Sequence, residues 1–257
     1  MKGEGPGFLE AGRILRMARM HRRDPMPYSR AVADLVPRYL RARGLRIGGR
    51  WLDVGSGQGA MPVALEAAGA ASAVGLDVAD RRVDGARSSA FVLGSGEQLP
   101  FAAGSFDGVI SSNVLEHTLD TWGMVRELLR VTRPGGVVFL SWTNWYSPLG
   151  GHEWSPLHYL GPRLGPRVYR WLFGRPPPWN IPGRTLFRVD VGPVLRGLER
   201  MDVDVLDVAP RYWPQLRLLA RIPVLREFAM WNCVVLLRVP HHGNETLEPG
   251  ANRGGSR

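Results

Sequence analysis

The chain has 257 residues, 44% of them hydrophobic, and a formal net charge of +10, which is enough length to bury a substantial core in one catalytic domain. No apolar run approaches the span of about 20 residues that a bilayer requires, and no hydrophobic signal segment opens the chain. Cys233 is the only cysteine, so no intrachain disulfide can form, and its apolar neighbours make it a buried hydrophobe.

Residues 1–50 carry twelve basic and four acidic side chains, a net of +8, whereas residues 51–140 carry six and ten, a net of −4. Phe8, Ala11, Leu15 and Ala18 recur at helical spacing, so 1–49 reads as an N-terminal helical segment. Its apolar stripe turns inward, and Arg13, Arg16, Arg19, Arg22 and Arg23 face water, where they also suit an anionic partner. Trp51 to Val54 then reads as a short strand feeding the turn Gly55-Ser56-Gly57-Gln58-Gly59 and a small-residue helix from Ala60 to Ala68. Glycines let the backbone turn sharply and approach a ligand with no Cβ in the way, beside the free N–H groups of a helix start. The dinucleotide fingerprint is G-x-G-x-x-G; here the glycines alternate as G-x-G-x-G, with Asp53 two residues ahead. An acid there disfavours a pyrophosphate and suits a ligand with ammonium and sulfonium groups. Asp77 ends the next strand, where a carboxylate can accept two ribose hydroxyls.

Together these residues resemble the S-adenosylmethionine (SAM) site of class I methyltransferases. The resemblance implies an α/β fold with a Rossmann-like, seven-stranded, mostly parallel sheet, and it covers Arg50 to Thr143 closely. It places Val78 beside Asp77 in the cofactor site. Phe91 to Gly96 reads as a third strand, with Ser95, Gly96 and Glu97 in the family's stretch beside the adenine. Family members commonly carry an acid where this chain has Ser95. Ser105 to His117 reads as a fourth strand whose end, with Ser112 and Asn113, faces the methyl donor. A helix from Thr121 to Val131, with Trp122, Val125, Leu128 and Leu129 on one face, stops before Arg133-Pro134-Gly135-Gly136. Val137 to Trp142 supplies a fifth strand. Enzymes of this class that methylate base amino groups usually carry an Asn/Asp-Pro-Pro-aromatic motif after the fourth strand. Ser112-Asn113-Val114-Leu115 stands here instead, which argues against nucleic acid.

Asn144 to Thr185 is a long insert with many aromatics, including Trp145, Trp154, Tyr159 and Trp179, and reads as a substrate cap at the carboxyl ends of the strands. Its Gly150-Gly151-His152-Glu153 and His158-Tyr159-Leu160-Gly161 look like a signature of a subgroup of bacterial methyltransferases. Methyl transfer needs alignment and exclusion of water, and an alcohol acceptor also needs to lose its proton. His152 is the first candidate for that base, with Glu153 orienting it or holding a substrate hydroxyl; His158 and His117 are rivals. The spacing of His152, Glu153 and His158 is not the zincin H-E-x-x-H, Pro156 breaks a helix there, and clustered carboxylates are lacking, so no metal is expected.

Leu186 to Leu198 reads as the last large helix, with Asp190 and Arg196 facing solvent. Val203 to Ala209 and Trp231 to Val239 read as the antiparallel sixth and seventh strands of the family's sheet. Between them, Trp213 to Ala229 is amphipathic and basic, a character that packs on a core or docks on a membrane. The expected domain spans 50–239, including the 144–185 cap, and 240–257 is expected to be a disordered tail. The whole predicts a cytoplasmic SAM-dependent methyltransferase with room for peripheral contact at the inner membrane face. Its expected chemistry is O-methylation of a small or medium hydroxylated acceptor: a sugar, glycolipid or natural product, free or lipid-linked. The alternatives are C- or N-methylation of a small molecule or lipid, and a non-catalytic SAM-binding regulator.

Overall fold

The computed structural model describes residues 8–20, 26–86, 89–175 and 179–241; Arg22, Arg23 and most of the expected tail lie outside the described residues. Seven strands form one sheet in the order β3-β2-β1-β4-β5-β7-β6. Strand β1 (Arg50–Val54) pairs in parallel with β2 (Ser72–Asp77) and with β4 (Phe106–Ser112). β3 (Ala90–Leu93) lies outside β2, and β5 (Thr132–Thr143) outside β4, both parallel. Strand β7 (Asn232–Arg238) runs antiparallel to β5, and β6 (Asp204–Pro210) antiparallel to β7. β6 therefore points the same way as β1, so only one of the two expected antiparallel strands opposes the sheet. The strand order reverses between β1 and β4, which opens a crevice beyond their carboxyl ends.

Helices cover both faces. On one, α4 (Thr121–Val131) buries Met124, Val125, Leu128 and Val131, with Trp122 and Leu129 packed partly buried against the same cluster. The Asp120 side chain accepts from the Gly123 N–H at 2.7 Å and caps the helix. Helix α6 (Val191–Leu198) approaches α4 so closely that a Cβ on Gly197 would lie 2.0 Å from the Trp122 ring. On the other face lie α3 (Ala60–Ala67) and α2 (Met26–Ala42), the latter burying Val36, Tyr39 and Leu40. Helix α1 (Phe8–Met20) adds Ala11 and Ile14 to a small cluster with Val32, Leu35 and Tyr212. Tyr39 and Arg43 both grip Asp207 of β6, at 2.8 and 2.6 Å.

Several boundaries differ from the sequence reading. Strand β3 ends at Leu93 because Ser95 to Gln98 turns back on itself in an isolated bridge. Strand β5 absorbs Arg133 to Gly136 as a register shift against β4, with the Gly135 N–H bonded to Val239. Helix α6 begins at Val191, because Phe187 is extended and its N–H is spent on the Glu116 carbonyl. Asp190 is buried rather than solvated, paired with Arg188 at 2.6 Å, and burial raises its pKa. Within the insert, 3₁₀ turns at His152–Trp154 and Leu157–Leu160 lead into α5 (Gly161–Phe173), a helix hidden by its glycines and prolines. After β6, a kinked 3₁₀ run (Pro214–Arg221) precedes α7 (Pro223–Ala229), which has no buried residue.

Leu140 is fully buried in the β5 core. Leu140→Ala should cost about 3 kcal/mol, the middle of the range for a buried leucine, and lower the thermal midpoint by roughly 10 °C, measured by calorimetry. A midpoint within about 2 °C of the parent would contradict the packing.

Candidate active site

At the crevice lies a cavity of about 880 Å³. Its floor is the turn after β1. Gly55 has φ 78°, and a Cβ there would sit 2.3 Å from Val114, so both conformation and space demand glycine. Gly57 has φ 51° and open space where a side chain would point. The Leu76 carbonyl accepts from the Gly55 and Ser56 N–H groups at 2.7 and 3.0 Å, pinning the turn to β2. Gly59 faces Ala86 and Arg82 and lies outside the cavity lining.

Asp53 lines the cavity with 3% of its surface exposed, and its carboxylate takes no hydrogen bond from any described residue. Burial foremost, then the neighbouring Asp77 carboxylate, pushes it up to about 8, against the pull of Arg211. A carboxyl in that state gains from a cation brought to it. Asp77 itself accepts from the Gly57 N–H at 2.9 Å and the Ala79 N–H at 3.2 Å, with Arg81 at 3.6 Å. It thus braces the turn from behind and does not line the cavity.

The walls come from the end of β4, the cap and the two ends of the chain. Ser112 and Asn113 face the cavity; the Ser112 hydroxyl accepts from Arg211 at 2.7 Å, and Asn113, at φ 59°, accepts from the Asn232 amide at 2.6 Å. His117, His152 and Glu153 form the facing wall. The two imidazoles lie 5.4 Å apart, and Glu153 accepts from the Asn180 amide at 2.6 Å.

Other expected site residues are not brought here. His158 is fully buried, its Nε2 3.2 Å from the Ser147 carbonyl and its ring 4.0 Å from that of Tyr159. Burial lowers its pKa against the weaker pull of nearby carbonyls. It braces the cap from inside. Ser95 accepts from the Glu97 N–H, while Glu97 accepts from the Leu119 and Asp120 N–H groups at 2.8 and 3.1 Å and ties this loop to the start of α4. A Cβ on Gly96 would strike Val54, and Val78 is exposed; none of the four lines the cavity.

Sequence reasoning also missed several lining residues. Tyr28 and Tyr212 meet through their hydroxyls at 3.2 Å, and Ser29 donates to Gln58 at 2.9 Å, so α2 roofs the glycine turn. Beneath lies Arg211, 2% exposed, donating to Ser112 and Ser141 with no carboxylate in contact among the described residues. No local pattern marks these positions, because each reaches the site through tertiary packing.

A methyltransferase-domain family model matches residues 52–140. The chain is 41% identical over 194 residues to an uncharacterized methyltransferase of Mycolicibacterium vanbaalenii, covering 73% of this chain and 75% of that one. It is 37% identical over 238 residues to one of Mycobacterium tuberculosis, covering 88% and 92%. Its fold is similar to a SAM-dependent methyltransferase of Mesorhizobium loti, with TM-score 0.55, 23% identity and coverage of 80% and 99%. The chain belongs to the class I SAM-dependent methyltransferases. It is an enzyme of that class, and its cofactor is S-adenosylmethionine. The residues present fit that group: open space over Gly57 that a side chain there would fill, and a largely buried carboxyl at Asp53 that faces the cavity with no hydrogen bond from any described residue.

Asp53 keeps its proton in the folded state up to about pH 8, against an ordinary value of 3.8. Between those values the folded chain binds a proton that the unfolded chain has lost, so this group makes stability fall as pH rises. Asp53→Asn should therefore raise the thermal midpoint relative to the parent, increasingly from pH 5 to pH 9 and by about 5 °C or more at the top. The same variant should weaken SAM binding at least tenfold by calorimetry. A variant no more stable than the parent at pH 9 would refute the raised pKa of Asp53.

Proposed function

We propose that this methyltransferase transfers the methyl group to a hydroxyl of a small or medium acceptor, a sugar, glycolipid or natural product, held between the glycine turn and the His117–His152–Glu153 wall. The observation that carries this reading is that one cavity is lined both by Asp53, Gly55 and Gly57 and by two imidazoles and a carboxylate. At about 880 Å³ it lies toward the upper end of ligand pockets and has room for a nucleoside and an acceptor together.

S-adenosylmethionine supplies an electrophilic methyl on a positively charged sulfur; as the O–C bond forms the S–C bond breaks, leaving a neutral thioether. The chain's residues align and dry the reacting groups. Asp53, Gly55, Ser56, Gly57, Ser112 and Asn113 form the cofactor side, with Asp77 holding the turn in shape. Proton loss from the acceptor hydroxyl depends on His152, which faces the cavity beside His117. Glu153, tied to Asn180, holds an acceptor hydroxyl. Carbon and nitrogen acceptors fit less well, since a wall of two imidazoles has little to do for them.

A lipid-linked acceptor is supported by exposed Trp171 and Phe173 on α5 and exposed Val224 and Phe228 on α7. The exposed arginines at 163, 167 and 170 on α5 suit an anionic surface. No described helix is long and apolar enough to cross a membrane. The methyltransferase unit is 50–239, with α2 of the preceding segment roofing its cavity and described residues of the 144–185 insert capping it.

Lipid and metabolite profiles of cells lacking the gene should be missing one methyl ether, and the purified enzyme should restore it in extract with labelled SAM. With that acceptor, His152→Ala should lower turnover by about 100-fold or more while SAM affinity stays within about twofold. Unchanged turnover would remove His152 from the reaction.

A further inference from the structure

We propose that Glu116, His117 and His152 form a binding site for a divalent transition-metal ion in the wall of this cavity. Each of the three offers a ligand atom, and those atoms lie within 4.8 Å of one another. Glu116 and His117 sit on a 3₁₀ turn (Leu115–His117) just after β4, and His152 opens the first turn of the cap. The site thus joins the sheet to the lid.

Glu116 carries the argument furthest. It is 1% exposed, and its Oε1 accepts from the Thr143 N–H at 2.9 Å, while its Oε2 is buried with no hydrogen-bond partner. A buried carboxylate oxygen without a donor is costly unless a cation meets it. The only positive side chains the cluster itself can offer are two imidazoles, and both are arranged as ligands. His117 Nδ1 lies 2.6 Å from the Thr185 carbonyl. A carbonyl oxygen can only accept, so Nδ1 carries the hydrogen and Nε2 is the ring nitrogen left for a metal; metal-binding histidines are oriented by this kind of outer bond. His152 is held in the left-handed region at φ 51°, rare for a side chain with a Cβ, and its N–H is fixed to the Leu149 carbonyl at 2.8 Å. That conformation brings its ring beside His117, 5.4 Å between centroids.

Metal–ligand bonds of about 2.1 Å put neighbouring ligand atoms roughly 3 to 3.5 Å apart, a spacing that small rotations of the two cavity-facing imidazoles supply. Two nitrogens and one carboxylate select a first-row ion such as zinc, iron(II), cobalt(II) or manganese(II) over magnesium or calcium. Three protein ligands leave coordination positions open, and both histidines line the cavity, so those positions face the acceptor. Resting on the hydroxyl-acceptor reading, the ion would lower the pKa of that hydroxyl and fix its orientation. His152 would then act through the ion rather than by taking the proton itself.

The test uses the full chain without a polyhistidine tag, stripped with chelator and titrated with cobalt(II) and with zinc. The expected result is one ion per chain, with visible absorption from the cobalt complex and a calorimetric isotherm. Glu116→Gln and His117→Gln, each checked for an unchanged circular dichroism spectrum, should each weaken binding at least tenfold. Absence of saturable one-to-one binding, or affinity unchanged in the folded Glu116→Gln or His117→Gln protein, overturns the site. If the stripped enzyme forms the methyl ether at full rate and His152→Ala still abolishes it, the metal role falls while the hydroxyl reading stands. If cobalt binds through these residues and no hydroxyl acceptor is methylated, the site stands and the acceptor reading falls.

Discussion

The arrangement turns on a carboxyl that is largely buried yet faces the cavity without a hydrogen-bond donor from any described residue. Asp53 lies one residue before the end of the central strand β1, beside the glycine turn and next to a second carboxylate. Folding alone does not repay that desolvation; a positively charged ligand does. The glycines follow from the same need. A side chain at Gly55 would collide with Val114, and the turn could not pass this close to the carboxyl while leaving the space above Gly57 open.

Around this carboxyl the charge is layered. Asp77 lies behind the turn and is engaged by backbone N–H groups and Arg81, whereas Arg211 is buried beneath Ser112 with no carboxylate in contact among the described residues. Arg211 draws Asp53 toward ionisation and Asp77 opposes it. The balance leaves Asp53 protonated at neutral pH and ready to exchange its proton for a cation. A site of this kind binds its ligand with a change in protonation, not by preformed charge alone.

The strand–turn–helix unit was legible because its determinants are local: alternating glycines, an apolar strand and an acid at a fixed offset. The sheet followed for the same reason, since most of its strands carry an apolar run bounded by turn residues and β6 alternates apolar with acidic ones. Helix α5 was hidden, because Gly161-Pro162 and Gly165-Pro166 read as breaks. Pro162 falls in the helix's first turn, where the N–H has no partner anyway, and Gly165 is small because Trp154 packs against it at what would be 2.6 Å from a Cβ. The cap histidines show the other limit. His152 is the first candidate and His158 a rival six residues on, and one faces the cavity while the other is sealed under Trp145, Trp154 and Tyr159. Glu97, expected beside the adenine, is likewise spent here on the start of α4. Burial and partner choice of single polar residues are set by distant chain, and no spacing rule reports them.

The hydroxyls of Tyr28 and Tyr212 touch across 184 positions of chain. One wall of the pocket is thus closed by a contact between α2 and the segment that follows β6. A molecule in which either has not packed lacks that wall. Nucleoside occupancy therefore stabilises only the completed molecule, by an amount that grows with the logarithm of ligand concentration, so its effect on melting reports the integrity of the entire chain.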